Sequence, residues 1–255
     1  MEGARGVALA GRARRVARAA LDFLLPAACP CCDRALVDGE DELVCGRCWA
    51  TIVELPYPQC ARCGHPGTRS PCRWCSLLPP FVRAVRSVCW THRGTGSSIV
   101  HAMKYGHWSA VAGGIARRMS RLGWPPDIVA ERAAVLPVPL AETKQRERGF
   151  NQSERLASEL APRWRLPLWS DVLVRTRATE TQTRLTPEER LANVSDAFRV
   201  QHTARQRLAN THVVLVDDVV TTAATLNACA AALVAGGARF VSYVTFGRAP
   251  AAGDR

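Results

Sequence analysis

Two adjacent carboxylates, Asp217 and Asp218, follow an uninterrupted apolar run at residues 213–216. Such a run is typical of a strand buried on both faces in a parallel sheet. A threonine-rich turn then opens into an alanine-rich helix predicted from Thr222 to about Leu233, so hydroxyls and backbone N–H groups gather at a helix N-terminus, where phosphate binds readily. Because carboxylates accept hydrogen bonds from vicinal hydroxyls, these residues together favour a ligand with both sugar hydroxyls and a phosphate group.

The same pattern allows two other interpretations. The aspartates could simply end a strand, with Thr221 or Thr222 capping a structural helix. A strand of the Walker ATPase type would need a phosphate loop with a Gly-Lys pair, and the chain contains no such pair. The sequence therefore excludes the Walker type and leaves the structural helix cap as the alternative.

A basic segment follows another apolar run. Residues 133–139 predict a buried strand stopped by prolines, and residues 144–152 predict a loop at its carboxyl end. In an open α/β sheet this edge carries the ligand, so Arg146 and Arg148 are candidates for contacting an anion. Gly149 would let the backbone approach a phosphate closely. The alternative is a solvated turn with surface arginines.

Two further features could reach the same edge. Lys104 ends a helix predicted from about Ser97 to Tyr105, where a lysine usually interacts with the helix dipole but could also contact a ligand. A polar connection at residues 175–185 joins two predicted elements. Long connections without secondary structure tend to be functional lids, so this segment is predicted to cover the site.

Eight of the 11 cysteines form four Cys-x-x-Cys pairs in a short segment rich in proline and glycine. No export signal is recognisable, so disulfides would be reduced and metal is the better interpretation. Two such pairs complete a tetrahedral zinc site, and pairing consecutive knuckles closes the shortest loops. The predicted ligands are Cys29, Cys32, Cys45 and Cys48 in the first site, and Cys60, Cys63, Cys72 and Cys75 in the second. A crossed pairing or an iron–sulfur cluster is the alternative, and Cys31 could replace a neighbour.

The overall composition is that of a globular protein. With 255 residues, 47% of them hydrophobic and 22% charged, the chain can form one sizeable core and a small module. It has no run of about 20 apolar residues, so we expect a cytoplasmic protein without a transmembrane segment. The net charge of +12 comes mainly from residues after 80 and suits phosphorylated ligands or nucleic acid.

The sequence predicts three regions. A basic N-terminal extension covers residues 1–25, a zinc module covers residues 26–78, and an α/β domain covers residues 81–250. Strands alternate with helices after Pro79-Pro80, which implies a doubly wound parallel sheet. The extension could form a basic amphipathic helix that touches anionic lipid, although a packed or frayed extension is more common.

Residues 215–225 resemble the phosphoribosyl pyrophosphate (PRPP) motif of type I phosphoribosyltransferases, and the whole chain resembles the ComF family of competence-associated proteins. The second resemblance rests on the paired cysteine knuckles and on several short motifs that occur in one order over about residues 22–248. These motifs are residues 43–49, 101–105, 138–139, 148–152, 182–185, 189–190, 193–194 and 197–198.

The resemblance implies a type I phosphoribosyltransferase-like α/β fold, an open and mostly parallel sheet with helices on both faces, preceded by a double zinc ribbon. It implies that Asp217 and Asp218 hold the ribose hydroxyls of PRPP, with Mg²⁺ bridging pyrophosphate and ribose oxygens. The 5′-phosphate would be held by Thr221, Thr222, Ala223, Ala224 and Thr225. The pyrophosphate and the lid would involve Arg146, Arg148, Gly149 and Lys104.

Two residues depart from related motifs. Ala223 stands where glycine is common, and its methyl group could crowd the phosphate. Thr221 stands where purine-salvage enzymes have an acidic residue that handles the base, which argues against purine salvage.

Two functions follow from the resemblance. One is a PRPP-binding accessory in single-stranded DNA uptake, with DNA and the uptake machinery as partners; the other is an active transferase that moves ribose 5-phosphate from PRPP to an unidentified acceptor. A DNA-handling protein should show basic and aromatic side chains along one groove. Trp90, Trp108, Trp124 and Trp164 are candidates, although core positions suit them better.

Overall fold

The computed structural model describes residues 28–36, 43–67, 72–105, 110–176 and 197–250. The predicted N-terminal extension, Trp108 and all but the first two residues of the predicted lid lie outside the described residues.

A five-stranded, mostly parallel sheet forms the centre of the fold. The strands of the described chain are β1 (Ile52–Glu54), β2 (Val82–Gly94), β3 (Arg132–Pro137), β4 (Leu173–Arg175), β5 (Phe198–Val200), β6 (His212–Val220) and β7 (Phe240–Arg248). The large sheet has the order β1-β2-β7-β6-β3, and β4 pairs with β5 in a small antiparallel sheet. Only β1 runs antiparallel to its neighbour in the large sheet, because β2, β7, β6 and β3 are all parallel.

Helices cover both faces of this sheet, as predicted. They are α1 (Gly46–Ala50), α2 (Gly96–Tyr105), α3 (Val111–Ser120), α4 (Pro126–Glu131), α5 (Glu142–Arg148), α6 (Gln152–Trp164), α7 (Arg205–Leu208) and α8 (Ala224–Ala235). Val213 and Leu215 of β6 pack in one core cluster with α8, whereas Val214 and Val216 pack in the other with α2, α3 and α6. Alternate residues of β6 therefore face opposite layers, which explains its uninterrupted apolar sequence.

One predicted loop is a helix. The segment at residues 144–152, predicted as a basic loop, instead contributes most of α5. This helix buries none of its side chains, so it shows no apolar periodicity in the sequence. An exposed Glu142–Arg146 pair spans one turn, and Gly149 ends the helix in a left-handed conformation with φ of 76°.

The cysteine-rich segment packs directly against the edge of the sheet. Its strand β1 pairs with β2, and the backbone N–H of Leu55 donates to the Val88 carbonyl at 3.1 Å. Further along the same edge, the N–H of Val85 donates to the Arg62 carbonyl at 2.8 Å. The zinc module therefore completes the hydrogen bonding of β2 and is continuous with the sheet.

Two glycines with similar backbone conformations should differ in their tolerance of alanine. Gly94 has φ of +62°, and a Cβ there would lie 2.1 Å from the Thr51 carbonyl oxygen. Gly149 has φ of +76° with nothing within 4 Å of a Cβ. We expect Gly149→Ala to cost about 1–2 kcal/mol through backbone strain alone, and Gly94→Ala to cost at least about 3 kcal/mol because overpacking adds to that strain. Chemical denaturation measures both values, and equal losses would contradict the close approach of β1 to β2.

Candidate functional site

A cleft opens where the carboxyl ends of β3 and β6 meet. After β3 the chain returns at Leu168, which forms a parallel bridge with Val135 on one side of β3. Strand β6 pairs with β3 on the other side. Such a change of direction is the topological switch point at which open α/β sheets bind ligands. The cleft has a volume of about 330 Å³. Its lining consists of Lys104, Val138, Pro139, Leu140, Gln152, Ser153, Arg175 and residues 217–226.

Both aspartates of the opening motif lie in this cleft and already have partners. The Ser153 hydroxyl donates to Oδ1 of Asp217 at 2.7 Å, and the backbone N–H of Asp218 donates to the same oxygen at 3.0 Å. The Lys104 ammonium forms an ion pair with Oδ2 of Asp218. Lys104 and Asp218 are largely buried, with side-chain exposures of 21% and 5%. Lys104 therefore lines the cleft beside Asp218, and its contact with a ligand remains a prediction.

Burial and neighbouring charges shift the pKa values of Asp217 and Lys104. Desolvation, together with the adjacent charge of Asp218, raises the pKa of Asp217 to about 7, although the Ser153 hydrogen bond and Lys104 act in the opposite direction. Burial alone would lower the pKa of Lys104, but attraction to Asp218 and Asp217 raises it above its usual value. Lys104 thus stays charged, and Asp217 is poised to gain or lose a proton near neutral pH.

The turn after the aspartates lines the floor of the cleft. Ala223 has φ of 61°, a left-handed conformation that is uncommon for a residue with a side chain. Its carbonyl accepts the N–H of Asn227 at 2.7 Å, and α8 begins at Ala224 without a side-chain cap. Ala223 is 7% exposed and belongs to the apolar cluster that contains Trp74. The alanine therefore adopts the backbone conformation in which glycine would be expected.

Of the two predicted arginines, Arg148 contacts residues beside the cleft, whereas Arg146 is exposed to solvent. Arg148 donates to Oε1 of Gln152 at 3.0 Å and to the Tyr105 hydroxyl at 3.1 Å, with its guanidinium 4.8 Å from the Tyr105 ring centroid. Arg146 is 79% exposed and pairs with Glu142 at 3.1 Å. Neither arginine lines the cleft, and neither does Gly149. Gly149 has a positive φ, and no atom of the described chain lies within 4 Å of a Cβ placed there, so the close approach of a phosphate remains a prediction.

The sequence reasoning did not identify Ser153 as a residue of the cleft. Its hydroxyl is aimed at Asp217 because Asn151 caps α6 by accepting the Ser153 N–H at 3.0 Å. Asn151 also donates to the Val138 carbonyl at 3.1 Å, which ties the helix to the end of β3. Arg175, at the start of the predicted lid, lines the cleft, and burial lowers its pKa. The Asn-Gln-Ser cap was the available signal for the start of α6, whereas Arg175 already belonged to the predicted lid.

The eight predicted zinc ligands form the two predicted groups. In each group, the four sulfur atoms lie within 4.8 Å of one another, and all 11 cysteines are free of disulfides. The Sγ–Sγ distances of 3.7 Å for Cys32–Cys45 and 3.4 Å for Cys63–Cys72 approach the ~3.8 Å edge of a tetrahedron with Zn–S bonds of about 2.3 Å. Four thiolates leave no open coordination position, so these groups suit structural zinc. Cys31 belongs to neither group.

A second and larger groove, of about 800 Å³, lies between the first cysteine group and α3. Three arginines of the α3 region line it together with Glu54, Trp49 and Tyr57; the arginines are Arg117, Arg118 and Arg121. The Arg118 guanidinium covers the Trp49 ring at 3.5 Å from its centroid, whereas Tyr57 is 74% exposed. The groove is thus basic and has one accessible aromatic ring.

The tryptophans proposed for a groove lie elsewhere. Trp90 is buried with 7% exposure. Trp124 and Trp164 pack edge to face at 5.8 Å and border the core. Trp90 is therefore a core residue, whereas Trp124 and Trp164 are partly buried against the core.

Within the described ranges, no helix has the length and apolar character needed to cross a bilayer.

Comparison with known proteins matches both halves of the chain. Residues 20–77 match the double zinc ribbon domain, and residues 146–254 match the phosphoribosyl transferase domain. Among solved structures, a glutamine PRPP amidotransferase from B. subtilis, complexed with ADP and GMP, is 16% identical with a TM-score of 0.35. The similarity covers 54% of this chain and 26% of that chain, so this chain spans about a quarter of that enzyme's length.

Relatives are similar over most of the chain. The DNA utilization protein YhgH of Escherichia coli strain K12 is 35% identical over 211 residues, which cover 78% of this chain and 86% of the relative. Competence protein F of Haemophilus influenzae is 35% identical over 94 residues, 37% of this chain and 41% of that protein. With both domain matches and these relatives, the chain belongs to the ComF family, in which a double zinc ribbon is joined to a phosphoribosyltransferase domain.

Proposed function

We propose that the β3–β6 cleft binds PRPP and that the protein is a PRPP-binding accessory in the handling of single-stranded DNA during uptake. The observation that carries the PRPP-binding proposal is the pair Asp217 and Asp218 at the switch point, followed by the turn at residues 221–225. Carboxylates and a phosphate-binding helix start on one strand-turn-helix match a sugar phosphate.

In this proposal, each part of PRPP has a separate surface. The ribose hydroxyls donate to Asp217 and Asp218, and the 5′-phosphate accepts from the backbone N–H groups and hydroxyls of Thr221, Thr222 and Thr225. The pyrophosphate lies toward Lys104 and Arg148, the cations at the rim. Pyrophosphate and ribose oxygens are ligands that suit Mg²⁺, which would neutralise the pyrophosphate while keeping several waters.

The second candidate function is active transfer of ribose 5-phosphate to an acceptor. The observation that favours it is the position of Asp217, which lines the cleft, accepts a hydrogen bond from the Ser153 hydroxyl at 2.7 Å and has its pKa raised by burial, as suits a group that exchanges protons during a reaction. Pyrophosphate release from PRPP, measured with candidate bases and with oligonucleotides, distinguishes the two functions. Release that depends on an acceptor supports transfer, and tight binding without release supports the accessory function.

The DNA half of the proposal rests on the relatives and on the larger groove. Two relatives are named for DNA utilization and for competence. Arg117, Arg118 and Arg121 with the exposed Tyr57 provide the basic and aromatic surface that a single strand requires. We place this function in the cytoplasm, where reduced thiols remain able to bind zinc.

Replacing both carboxylates should weaken PRPP binding. We expect Asp217→Asn with Asp218→Asn to lower the affinity at least ~10-fold, because hydrogen bonds to a charged group contribute about 1.5–3 kcal/mol each. Calorimetry in the presence of Mg²⁺ measures this. Arg146→Ala, which changes an exposed charge outside the cleft, is the control and should bind as the wild type does. Equal affinity of the double variant and the wild type would show that the ribose assignment is wrong.

PRPP binding should also depend on pH through Asp217. Its raised pKa of about 7 means that the carboxylate needed to accept a hydroxyl is mostly protonated at pH 6 and mostly ionised at pH 8. Asp218, Lys104 and Ser153 surround this group. We expect affinity to rise up to ~10-fold between these pH values.

The control for this titration is Asp217→Asn, which keeps the shape of the side chain but removes its proton exchange. The ionisation of PRPP itself changes with pH in the same way in both measurements. The difference between the two plots of affinity against pH therefore reports on Asp217. Parallel profiles would contradict the proposed role of Asp217.

Removing basic residues from the larger groove should weaken DNA binding. We expect Arg117→Ala with Arg121→Ala to reduce the slope of log affinity against log salt for a single-stranded oligonucleotide by about 1.4, since each phosphate contact contributes about 0.7. Fluorescence anisotropy over a salt series measures the slope. Arg199→Ala with Arg205→Ala makes the same charge change on another surface and should leave the slope unchanged. Similar slopes for both double variants would place DNA elsewhere.

A further inference from the structure

The second cysteine group lies directly behind the turn at residues 221–225. The short helical turn Cys75–Leu77 presents the Leu77 carbonyl to α8, where Nδ2 of Asn227 donates to it at 2.8 Å. On its other side, Oδ1 of Asn227 accepts the hydroxyl hydrogen of Tyr243 at 3.0 Å. Tyr243 is fully buried, so the Asn227 side chain is fixed from both ends.

The same asparagine supports the turn itself. Its backbone N–H donates to the Ala223 carbonyl at 2.7 Å, and Ala223 is the residue with the strained left-handed backbone. Such strain persists only where the surroundings hold it in place. One residue therefore connects the phosphate turn to a carbonyl of the zinc module.

Apolar packing reinforces this connection. Ala223 and Val220 share a buried cluster with Cys63 and Trp74. The space left among these residues is only about 10 Å³, too little for another group to enter. A displacement of the cysteine knuckle would consequently be transmitted to the turn.

Two arginines hold the second cysteine group against the sheet. Arg62, which lies between Cys60 and Cys63, donates to the Cys75 carbonyl at 3.3 Å and to the carbonyl of Val82 in β2 at 3.1 Å. Arg248, buried at the end of β7, donates to the Cys63 carbonyl at 2.6 Å. Arg248 pairs in register with Val220, the last residue of β6 before the turn. Both knuckles of this group are thus tied to the sheet beside the phosphate turn.

The first cysteine group has different neighbours. It packs in the other core cluster, with Ile99 and Phe246. Its main polar connection to the α/β layers is the Thr95 hydroxyl, which donates to the Cys48 carbonyl at 2.5 Å. Thr95 precedes α2, at the opposite end of that helix from Lys104. The effects of losing metal from the two cysteine groups can therefore be compared within one chain, because only the second group contacts the phosphate turn.

We propose that the second cysteine group positions the phosphate turn, and that Asn227 is the positioning residue through which metal occupancy there sets the affinity for a sugar 5-phosphate. Metal loss unfolds a small cysteine knuckle, because the metal supplies most of its stability. The Leu77 carbonyl and the packing behind Ala223 would then be lost, and the turn would relax from the conformation that directs its N–H groups at a phosphate. This inference rests on the function proposed for the cleft.

The first test compares two variants that lose side-chain hydrogen bonds to the zinc module. Asn227→Ala removes the bond to Leu77, and Thr95→Ala removes the bonds to Cys48 and Thr51. Asn227→Ala should retain two zinc ions per chain by elemental analysis and bind ribose 5-phosphate at least fivefold more weakly. Its affinity for pyrophosphate should stay within twofold of the wild type, because the proposed pyrophosphate position is toward Lys104, away from the phosphate turn. Thr95→Ala should change neither affinity. Equal loss of both ligands in Asn227→Ala would indicate general destabilisation and overturn the positioning role.

The second test removes metal from one group at a time. Cys75→Ser should lose one zinc ion and bind ribose 5-phosphate at least tenfold more weakly, whereas Cys32→Ser should lose the other zinc with a change below threefold. Equal effects would overturn the inference. If Cys75→Ser does not fold, the Asn227→Ala measurement decides. Failure of the wild type to bind ribose 5-phosphate or PRPP would instead remove the proposed function of the cleft.

Discussion

The burial of two neighbouring carboxylates at the end of β6 is the constraint on which the candidate site depends. Adjacent ionised carboxylates in a partly desolvated cleft repel each other and lose hydration. The chain compensates with one cation and one hydroxyl from separate elements, Lys104 at the end of α2 and Ser153 in the first turn of α6. Both helices pack on the same face of the sheet, so the partners of the two acids come from one layer.

This arrangement changes what a ligand has to do on entering. The Lys104 ammonium occupies an acceptor of Asp218 that a sugar hydroxyl is proposed to use. A diol therefore exchanges with an existing partner instead of filling a vacant acceptor. The displaced ammonium would remain beside the ligand, where a pyrophosphate group offers it a new charge-assisted hydrogen bond. A ligand with both a diol and a phosphate keeps every charge in the cleft paired, and a neutral sugar does not.

The sequence predicted those parts of the fold and site whose causes are local. Residues 213–216 are apolar without interruption because β6 is covered on both faces, and the carboxylates and the turn follow on the same segment. Cysteine spacing likewise predicted both four-sulfur groups. The cap before Ser153 indicates only a helix start, because the contact of Ser153 with Asp217, 64 residues away, depends on long-range packing that no local pattern encodes. Helix α5 was predicted as a loop because it buries no side chain, and burial is what produces a helical period in a sequence.

The cysteine-rich segment has a structural consequence beyond its metal sites. It covers the outer edge of β2 at two places, through the Leu55 N–H and the Arg62 carbonyl. A chain cut at residue 81 would expose one edge of a 13-residue strand whose backbone groups are available for pairing with another molecule. The cysteine-rich segment therefore covers a strand edge that could otherwise pair with another molecule.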